Sequence, residues 1–164
     1  MASGQTLTIF TAQAGVPLAA ATAQIDTRNN QLVWDFDAAV NESVDIESLL
    51  PRNYSGAGLT VTLVWSATTA TSGNVKWNAA FERHQAGVTD MDADSFATAQ
   101  SVAAAAPATN GARAYSEIAF TDGAQIDGLL YSESFRLRIT RDATDVADTM
   151  VGDAELSRIE IRET

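Results

Sequence analysis

The stretch from Gly58 to Arg83 constrains the fold more than any other part of the sequence. Apolar residues alternate with polar ones in two runs, 59–66 and 75–82, and a polar segment rich in turn-forming residues, 67–74, separates them. Alternation with a period of two over this length is typical of strands with one buried and one solvated face. The stretch therefore predicts two β-strands joined as a hairpin, in an all-β protein.

Similar alternation recurs along the rest of the chain and predicts about eight strands with almost no helix. The clearest further runs cover residues 5–11, 32–36, 44–47, 112–121, 134–141 and 153–163. In the last run the alternation changes parity, and one extra residue near Ser157 and Arg158 would restore a single apolar face, which predicts a β-bulge. Strands with uneven connections favour a single-domain antiparallel β-sandwich that is jelly-roll-like.

The N-terminal segment differs from the rest because it is rich in Ala and is interrupted by Gly and Pro between residues 12 and 23. We predict that residues 1–25 form an N-terminal strand and extended arm, and that residues 26–164 form the jelly-roll domain. A segment of this composition can be ordered by a neighbouring molecule. We therefore expect the arm to dock onto a partner, and deletion of Met1–Ala23 to leave the domain folded.

Composition excludes several classes of function. The formal net charge is -11 and the sequence contains no cysteine. A field of this sign repels nucleic acid, since nucleic-acid binding depends on basic side chains at phosphates. Without cysteine there is no disulfide, thiolate nucleophile or thiolate metal site. The sequence also lacks an apolar run long enough for a membrane span and a recognisable signal peptide, so we expect neither a nucleic-acid partner nor a membrane partner.

The three tryptophans are the candidates for ligand stacking. Trp34, Trp65 and Trp77 could form a platform for sugar rings, as exposed aromatic side chains do in sugar-binding proteins. Each of them is in phase with the aliphatic residues of its own strand, however, and burial of a Trp side chain removes a large apolar area from water. We therefore predict that all three pack in the core. Their full burial would argue strongly against a glycan-binding module.

No residue pattern in the chain points to catalysis or to a metal. Asp90, Asp92 and Asp94 resemble the start of a calcium loop, but the later Gly and Glu of the EF-hand pattern are missing. His84 is the only histidine, and no nucleophile motif accompanies it. A pair of catalytic carboxylates can be recognised only in space. We predict no catalytic, cofactor-binding or metal-binding residue, no cofactor, and no enzyme activity.

The last two strands carry alternating charges on the faces that we predict to point outward. Four arginines lie there, with acidic residues between and around them: Arg136, Arg138, Arg158 and Arg162. Opposite charges on neighbouring strands attract each other weakly. These residues therefore form either a solvated sheet face or a polar subunit interface, in which Arg is enriched.

Several stretches together resemble small proteins encoded among the structural genes of tailed bacteriophages and prophages. The stretches that carry this resemblance are residues 63–77, 80–83, 92–97, 135–141 and 152–156. The resemblance spans most of the chain from Val61 onward and rests on strand and turn residues, so it brings no functional residue with it. It implies a virion component that decorates or cements a capsid, or that forms a head or tail appendage.

The resemblance leads to our main functional hypothesis, a structural protein of a tailed-phage virion. On this hypothesis the protein forms a homotrimer, binds the major capsid protein or another virion protein, and lies on the capsid surface after assembly in the host cytoplasm. Many weak contacts repeated on a symmetric shell would give avidity. The alternative hypothesis is a receptor- or glycan-binding β-sandwich module of a phage tail, a fibre or an adhesin.

Overall fold

Two antiparallel sheets face each other in a computed structural model that describes residues 4–164. The six-stranded sheet contains β1 (Thr6–Thr11), β3 (Gln24–Arg28), β4 (Gln31–Phe36), β6 (Leu59–Ala67), β9 (Arg113–Phe120) and β11 (Ala154–Glu163). The five-stranded sheet contains β2 (Gly15–Pro17), β5 (Glu42–Leu49), β7 (Asn74–His84), β8 (Gln100–Ala105) and β10 (Ser134–Arg141). The predicted all-β, jelly-roll-like sandwich is confirmed, with more strands than the sequence suggested.

Helical structure in residues 4–164 is limited to two short 3₁₀ helices, Ala12–Ala14 and Ala124–Ile126. Neither is a layer of the fold, because each is a single turn in a connection between strands. Over the same described range, the chain has no helix with the length and apolar content that a membrane crossing requires.

Strand β11 organises the six-stranded sheet, in which the order is β3-β4-β11-β6-β9. One edge of β11 pairs with β6 along its whole length. On the other edge, β11 pairs with β4 over residues 154–156 and with β1 over residues 158–162. A register shift lies between Leu156 and Arg158, where the neighbour on that shared edge changes. The bulge predicted from the change of parity is thus confirmed, and Ser157 within it donates its hydroxyl to the Val64 carbonyl.

The predicted hairpin is wrong, although both of its strands exist. Strand β6 belongs to the six-stranded sheet and β7 to the five-stranded sheet, so the segment 68–73 crosses from one sheet to the other. Alternation reveals which face of a strand is apolar, but it does not distinguish strands that pair in one sheet from strands that face each other across a core. Here Trp65 and Trp77 meet edge to face across the sandwich, with ring centroids 5.9 Å apart.

The core lies between the sheets and contains all three tryptophans. Trp65 and Trp77 are fully buried and Trp34 is 5% exposed, so the predicted core packing is confirmed. Trp77 also makes an edge contact with Phe36, with ring centroids 5.1 Å apart. Trp34 donates its indole N–H to the Ala12 carbonyl at 2.7 Å. Such aromatic pairs contribute about 0.5–1.5 kcal/mol each beyond the area that they bury.

The described residues of the N-terminal segment contribute a strand to each sheet, with the 3₁₀ turn Ala12–Ala14 between the two strands. Strand β1 pairs with β11, and β2 pairs with β5 in the other sheet. Phe10 and Ala12 are buried in the core between these two pairings. Residues 1–3 lie outside the described part of the chain, and the division into an arm of residues 1–25 and a domain of residues 26–164 stays a prediction.

An arginine is buried at the end of β10. Arg141 continues the inward parity of that strand and is fully buried. Its guanidinium donates to both carboxylate oxygens of Asp148, at 3.1 and 2.9 Å. It also donates to three backbone carbonyls, those of Phe36, Met150 and Gly152. The Asp148 side chain is 2% exposed, so Asp148 is a buried partner of Arg141.

Candidate functional site

A groove of about 530 Å³ crosses the outer face of the five-stranded sheet. Its floor consists of side chains that point away from the core on three neighbouring strands, β5, β10 and β7. One wall is formed by residues 16–20, from β2 and the segment after it, and the other by Met91 and Asp94 in the connection between β7 and β8. The volume lies in the range of about 300–1,000 Å³ that is usual for small-molecule sites.

Strand register explains why the floor is charged. Arg138 is opposite Asp45, and Arg136 lies between Glu47 on one neighbouring strand and Glu82 on the other. Alternation sends these side chains to the outer face, because the residues between them point into the core. Opposite charges therefore meet across the strands, which is a favourable arrangement.

Ion pairs fix the two floor arginines. Arg138 binds Asp45 through two parallel bonds of 2.8 Å, from Nε to Oδ1 and from Nη2 to Oδ2. Arg136 donates its Nε–H to Glu82 at 2.7 Å, and both arginines also bind the Asp94 carboxylate. Glu82 is fully buried and Asp45 is 6% exposed. The shape of the floor is consequently set before any ligand arrives.

The connection between β7 and β8, residues 85–99, is held against the floor by contacts of its own. Ser95 donates both its backbone N–H and its hydroxyl to Glu82, and Ala97 donates its N–H to the Phe81 carbonyl. The Phe96 ring lies against the Arg136 and Arg138 guanidiniums, with its centroid 4.7 and 4.2 Å from their central carbons. These cation–π contacts position Asp94 and its loop at the groove.

The opposite wall is apolar and is tied to β5. The Leu18 N–H donates to the Thr22 hydroxyl at 3.1 Å, which closes a turn in the wall. Ser43 and the segment after the wall exchange two backbone hydrogen bonds, from Ser43 N–H to the Ala21 carbonyl and from Ala23 N–H to the Ser43 carbonyl. Val16 is 53% exposed and Met91, on the facing wall, is 67% exposed. The groove thus combines a charged floor with two walls that present aliphatic surface.

Two carboxylates at the floor, those of Asp94 and Glu82, have a lowered pKa and are held in their charged forms. Arg136 beside Asp94 keeps the pKa of that carboxyl below its ordinary value. Burial alone would raise the pKa of Glu82, but the bonds from Ser95 and Arg136 outweigh burial and lower it. A general acid needs a proton to give near neutral pH. These two carboxylates are therefore suited to orient partners rather than to transfer protons.

The structure separates the residues that the sequence raised as candidate ligands. His84 lies at one end of the groove, with Nε2 3.4 Å from Glu82 and Nδ1 3.9 Å from Glu47. Asp94 contacts the floor arginines, whereas Asp90 accepts a hydrogen bond from the Asp92 backbone. In the part of the chain that the structure describes, no three His, Asp or Glu side chains are grouped so as to hold a metal ion.

Sequence reasoning placed Arg136 and Arg138 correctly on an outward face, but it missed the groove. The acidic residues on the outward face of β5, Asp45 and Glu47, could have indicated that β5 lies beside β10, because opposite charges tend to face each other on neighbouring strands. The covering loop gave no such signal. The position of Phe96 against two guanidiniums depends on how residues 85–99 fold back, and polar surface loops carry little information about that path.

A carboxylate with a raised pKa lies on the outer face of the other sheet. Asp35 is opposite Glu155 on the neighbouring strand. Burial first, and then the nearby Asp153 and Glu155, raise the pKa of Asp35 from its ordinary value of 3.8 to about 6. The folded state therefore binds this proton more tightly than the unfolded state does. Ionisation of Asp35 weakens the fold as the pH rises from the ordinary pKa through about 6.

We expect Asp35→Asn to stabilise the protein at pH values above about 6 and to have little effect below about 4. The gain at high pH should be about 1 kcal/mol in the free energy of unfolding, which allows for solvent screening at this partly exposed group. Urea titrations at several pH values measure it. Asp92→Asn, the same change at an exposed loop residue, is the control, and an equal gain in both variants at every pH would contradict the prediction.

The fold is similar to those of known proteins among the solved structures. The CBM22-1 xylan-binding domain of Paenibacillus barcinonensis Xyn10C is similar with a TM-score of 0.51 and 10% sequence identity, over 98% of this chain and 96% of that domain. The carbohydrate binding module CBM6cm-2 of Cellvibrio mixtus lichenase 5A has a TM-score of 0.45 and 13% identity, over 98% of this chain and 99% of that module. No protein-family model and no curated protein matches the sequence. The chain therefore shares an all-β, two-sheet, jelly-roll-like fold with the xylan-binding domain.

Proposed function

We propose that this protein is a non-catalytic binding module that binds a glycan in the groove on the outer face of its five-stranded sheet. The observation that supports this proposal is the groove itself, in which fixed hydrogen-bonding side chains lie between two aliphatic walls. A sugar ring presents hydroxyl groups at its edge and C–H groups on its faces. The floor offers partners to the hydroxyl groups, and the walls offer surface to the C–H groups.

The rigidity of the floor favours binding over chemistry. Arg138, Asp45 and Asp94 form an ion-pair network among themselves. A ligand that hydrogen-bonds to such a network does not have to order these side chains, which saves about 0.5–1.5 kcal/mol for each side chain that would otherwise be immobilised. The similarity to a xylan-binding domain supports the fold on which this groove lies, and it does not identify the sugar.

The burial of all three tryptophans bears directly on this proposal. Trp34, Trp65 and Trp77 cannot stack on a sugar from inside the core, so the form of the glycan hypothesis in which these three side chains make the stacking platform fails. The described residues that line the groove include neither Trp nor Tyr. Binding in the groove therefore has to rest on hydrogen bonds and on aliphatic contacts such as those of Val16 and Met91.

The double variant Val16→Ala, Met91→Ala is expected to bind its glycan about tenfold more weakly, because it removes apolar contact from both walls. The wild-type protein is first screened on an array of neutral and charged oligosaccharides, and the affinity for the best ligand is then measured by calorimetry. Val146→Ala, Val151→Ala is the matched control, because these two valines are 96% and 85% exposed and do not line the groove. Equal affinities of the two double variants, or no binding of any glycan by the wild type, would overturn the proposal.

The virion hypothesis remains a second candidate, and the strand and turn residues that resemble phage structural proteins support it. The capsid-surface location, the homotrimer and the contact with a capsid protein are proposals that rest on this resemblance alone. The two candidates are compatible, since a binding module can be carried on a particle. Mass spectrometry of purified particles, with the copy number of this chain, tests the virion role: high copy number supports it, and absence from the particles opposes it.

A further inference from the structure

The groove floor carries an excess of negative charge. Three carboxylates, those of Asp45, Glu82 and Asp94, surround the guanidiniums of Arg136 and Arg138. Glu47 joins Asp45 and Asp94 as the third carboxylate of the lining, and the fully buried Glu82 lies beneath it. The wall formed by residues 16–20 has no charged side chain, and the loop 85–99 has three Asp residues and no Lys or Arg. Carboxylates therefore outnumber guanidiniums at this site, and the local field is negative.

Carboxylates of the protein already occupy the two arginines. Arg138 uses Nε and Nη2 on Asp45 and Nη1 on Asp94. Arg136 uses Nε on Glu82, shares Nη2 between Glu82 and Asp94, and has Nη1 3.6 Å from Asp45. The Phe96 ring covers a face of both guanidiniums. A carboxylate or sulfate on a ligand would have to compete with these ion pairs in order to bind.

Glu47 is the carboxylate that remains available. Its side chain is 54% exposed, and although Arg136 lies opposite it on β10, the basic group within ion-pair distance among the described residues is His84, with Nδ1 3.9 Å from Oε1. That distance is too long for a hydrogen bond, so the Glu47 oxygens can accept from a ligand. A carboxylate beside a negatively charged floor favours a cationic group, and a charge-assisted bond to an ammonium group is stronger than one to a hydroxyl.

We propose that the ligand is a saccharide that carries a protonated primary amine, and that its ammonium group binds Glu47. This inference rests on the proposed function. The groove then discriminates by charge: amino sugars bind best, neutral sugars bind more weakly, and sugars with carboxylate groups are repelled. An exposed ion pair of this kind should give a preference of about fivefold for the amine over its neutral counterpart. The preference should vanish in molar salt, where charges are screened within about 3 Å.

Glucosamine oligosaccharides and their N-acetylated counterparts of the same length provide the test, because they differ only at the amine. Their affinities are measured at low ionic strength, together with that of an oligogalacturonate as the acidic probe. In the wild type, the amine form should bind about fivefold more tightly than the acetylated form, and the acidic probe most weakly. Glu47→Gln should bring the affinities for the amine and acetylated forms within about twofold of each other.

Glu117→Gln is the matched control, since it changes the net charge of the protein equally at a half-exposed residue of the other sheet, on β9. It should keep the wild-type preference. Binding of the acetylated sugar without any preference for the amine overturns this inference and leaves the proposed function intact. Loss of the preference in Glu117→Gln also overturns it, because the whole-protein field would then be the cause. If none of these three sugars binds, this inference fails, and the oligosaccharide array then decides whether the proposed function stands.

Discussion

Replacement of Arg141 by Met is expected to lower the free energy of unfolding by about 3–5 kcal/mol. Met has a similar length and fills much of the same space, so the loss comes from the guanidinium and not from a large cavity. Without it, the Asp148 carboxylate is left buried and without its cation, with 2% of its side chain exposed. Removal of one partner of a buried ion pair costs far more than the pair itself contributes.

The geometry explains why the effect should be large. The Arg141 guanidinium bonds to Asp148 and to three carbonyls, which belong to the end of β4 and to the segment that leads into β11. Each carbonyl that loses its donor inside the protein costs about 1–3 kcal/mol unless water replaces the donor. Arg141→Lys should restore only part of the stability, because an ammonium group cannot reproduce the planar fork of a guanidinium.

Urea titrations with Arg52→Met as the control measure this effect, since Arg52 is exposed in the loop before β6. The control should change the free energy of unfolding by less than about 0.5 kcal/mol. A second variant, Arg141→Met with Asp148→Asn, removes the orphaned charge and should recover part of the loss. A change below about 1 kcal/mol in Arg141→Met would show that the buried pair contributes little, as solvated pairs do.

Arg141 also shows how far the sequence can predict this fold. The alternation of β10 places the residue on the inward face, so its position is readable from the chain. The residues that bond to Arg141 cannot be predicted from the sequence, because they belong to a loop and to the end of β4. One of them, Phe36, lies more than a hundred residues away in the sequence. Strand periodicity reports only which side of a strand is apolar. Contacts that join distant segments depend on the pairing of strands, which the period does not encode.

The same limit explains both the failed hairpin and the missed groove. The alternation of apolar and polar residues in β6 and β7 would be the same whether the two strands paired in one sheet or faced each other across the core. Which arrangement forms depends on the path of residues 68–73. The charged floor could be anticipated from Arg136 and Arg138 facing outward. Its enclosure could not, because the loop 85–99 folds back through Ser95 contacts with a buried glutamate. The bulge near Ser157 was predictable because it leaves a trace in the sequence, a change of parity.

Deletion of Met1–Ala23 is expected to destabilise the sandwich by more than about 5 kcal/mol, although the sequence alone suggested that the domain would stay folded. The deletion removes β1 from beside β11 and β2 from beside β5. It also removes Phe10 from the core, a change that costs about 3–5 kcal/mol even as a truncation to Ala. The total approaches the stability of a typical domain, about 5–15 kcal/mol.

Two neighbouring residues separate this core role from a docking role. Phe10 is 8% exposed and Ile9, beside it on β1, is 61% exposed. Phe10→Ala should lower the free energy of unfolding by about 3 kcal/mol, and Ile9→Ala by less than about 1 kcal/mol. Circular dichroism and urea titration of the deletion and of both point variants measure these effects, and a deletion variant as stable as the wild type would refute the core role. Because unfolding alone would keep the deleted protein out of any assembly, only exposed positions such as Ile9 can test whether the N-terminal segment contacts a partner.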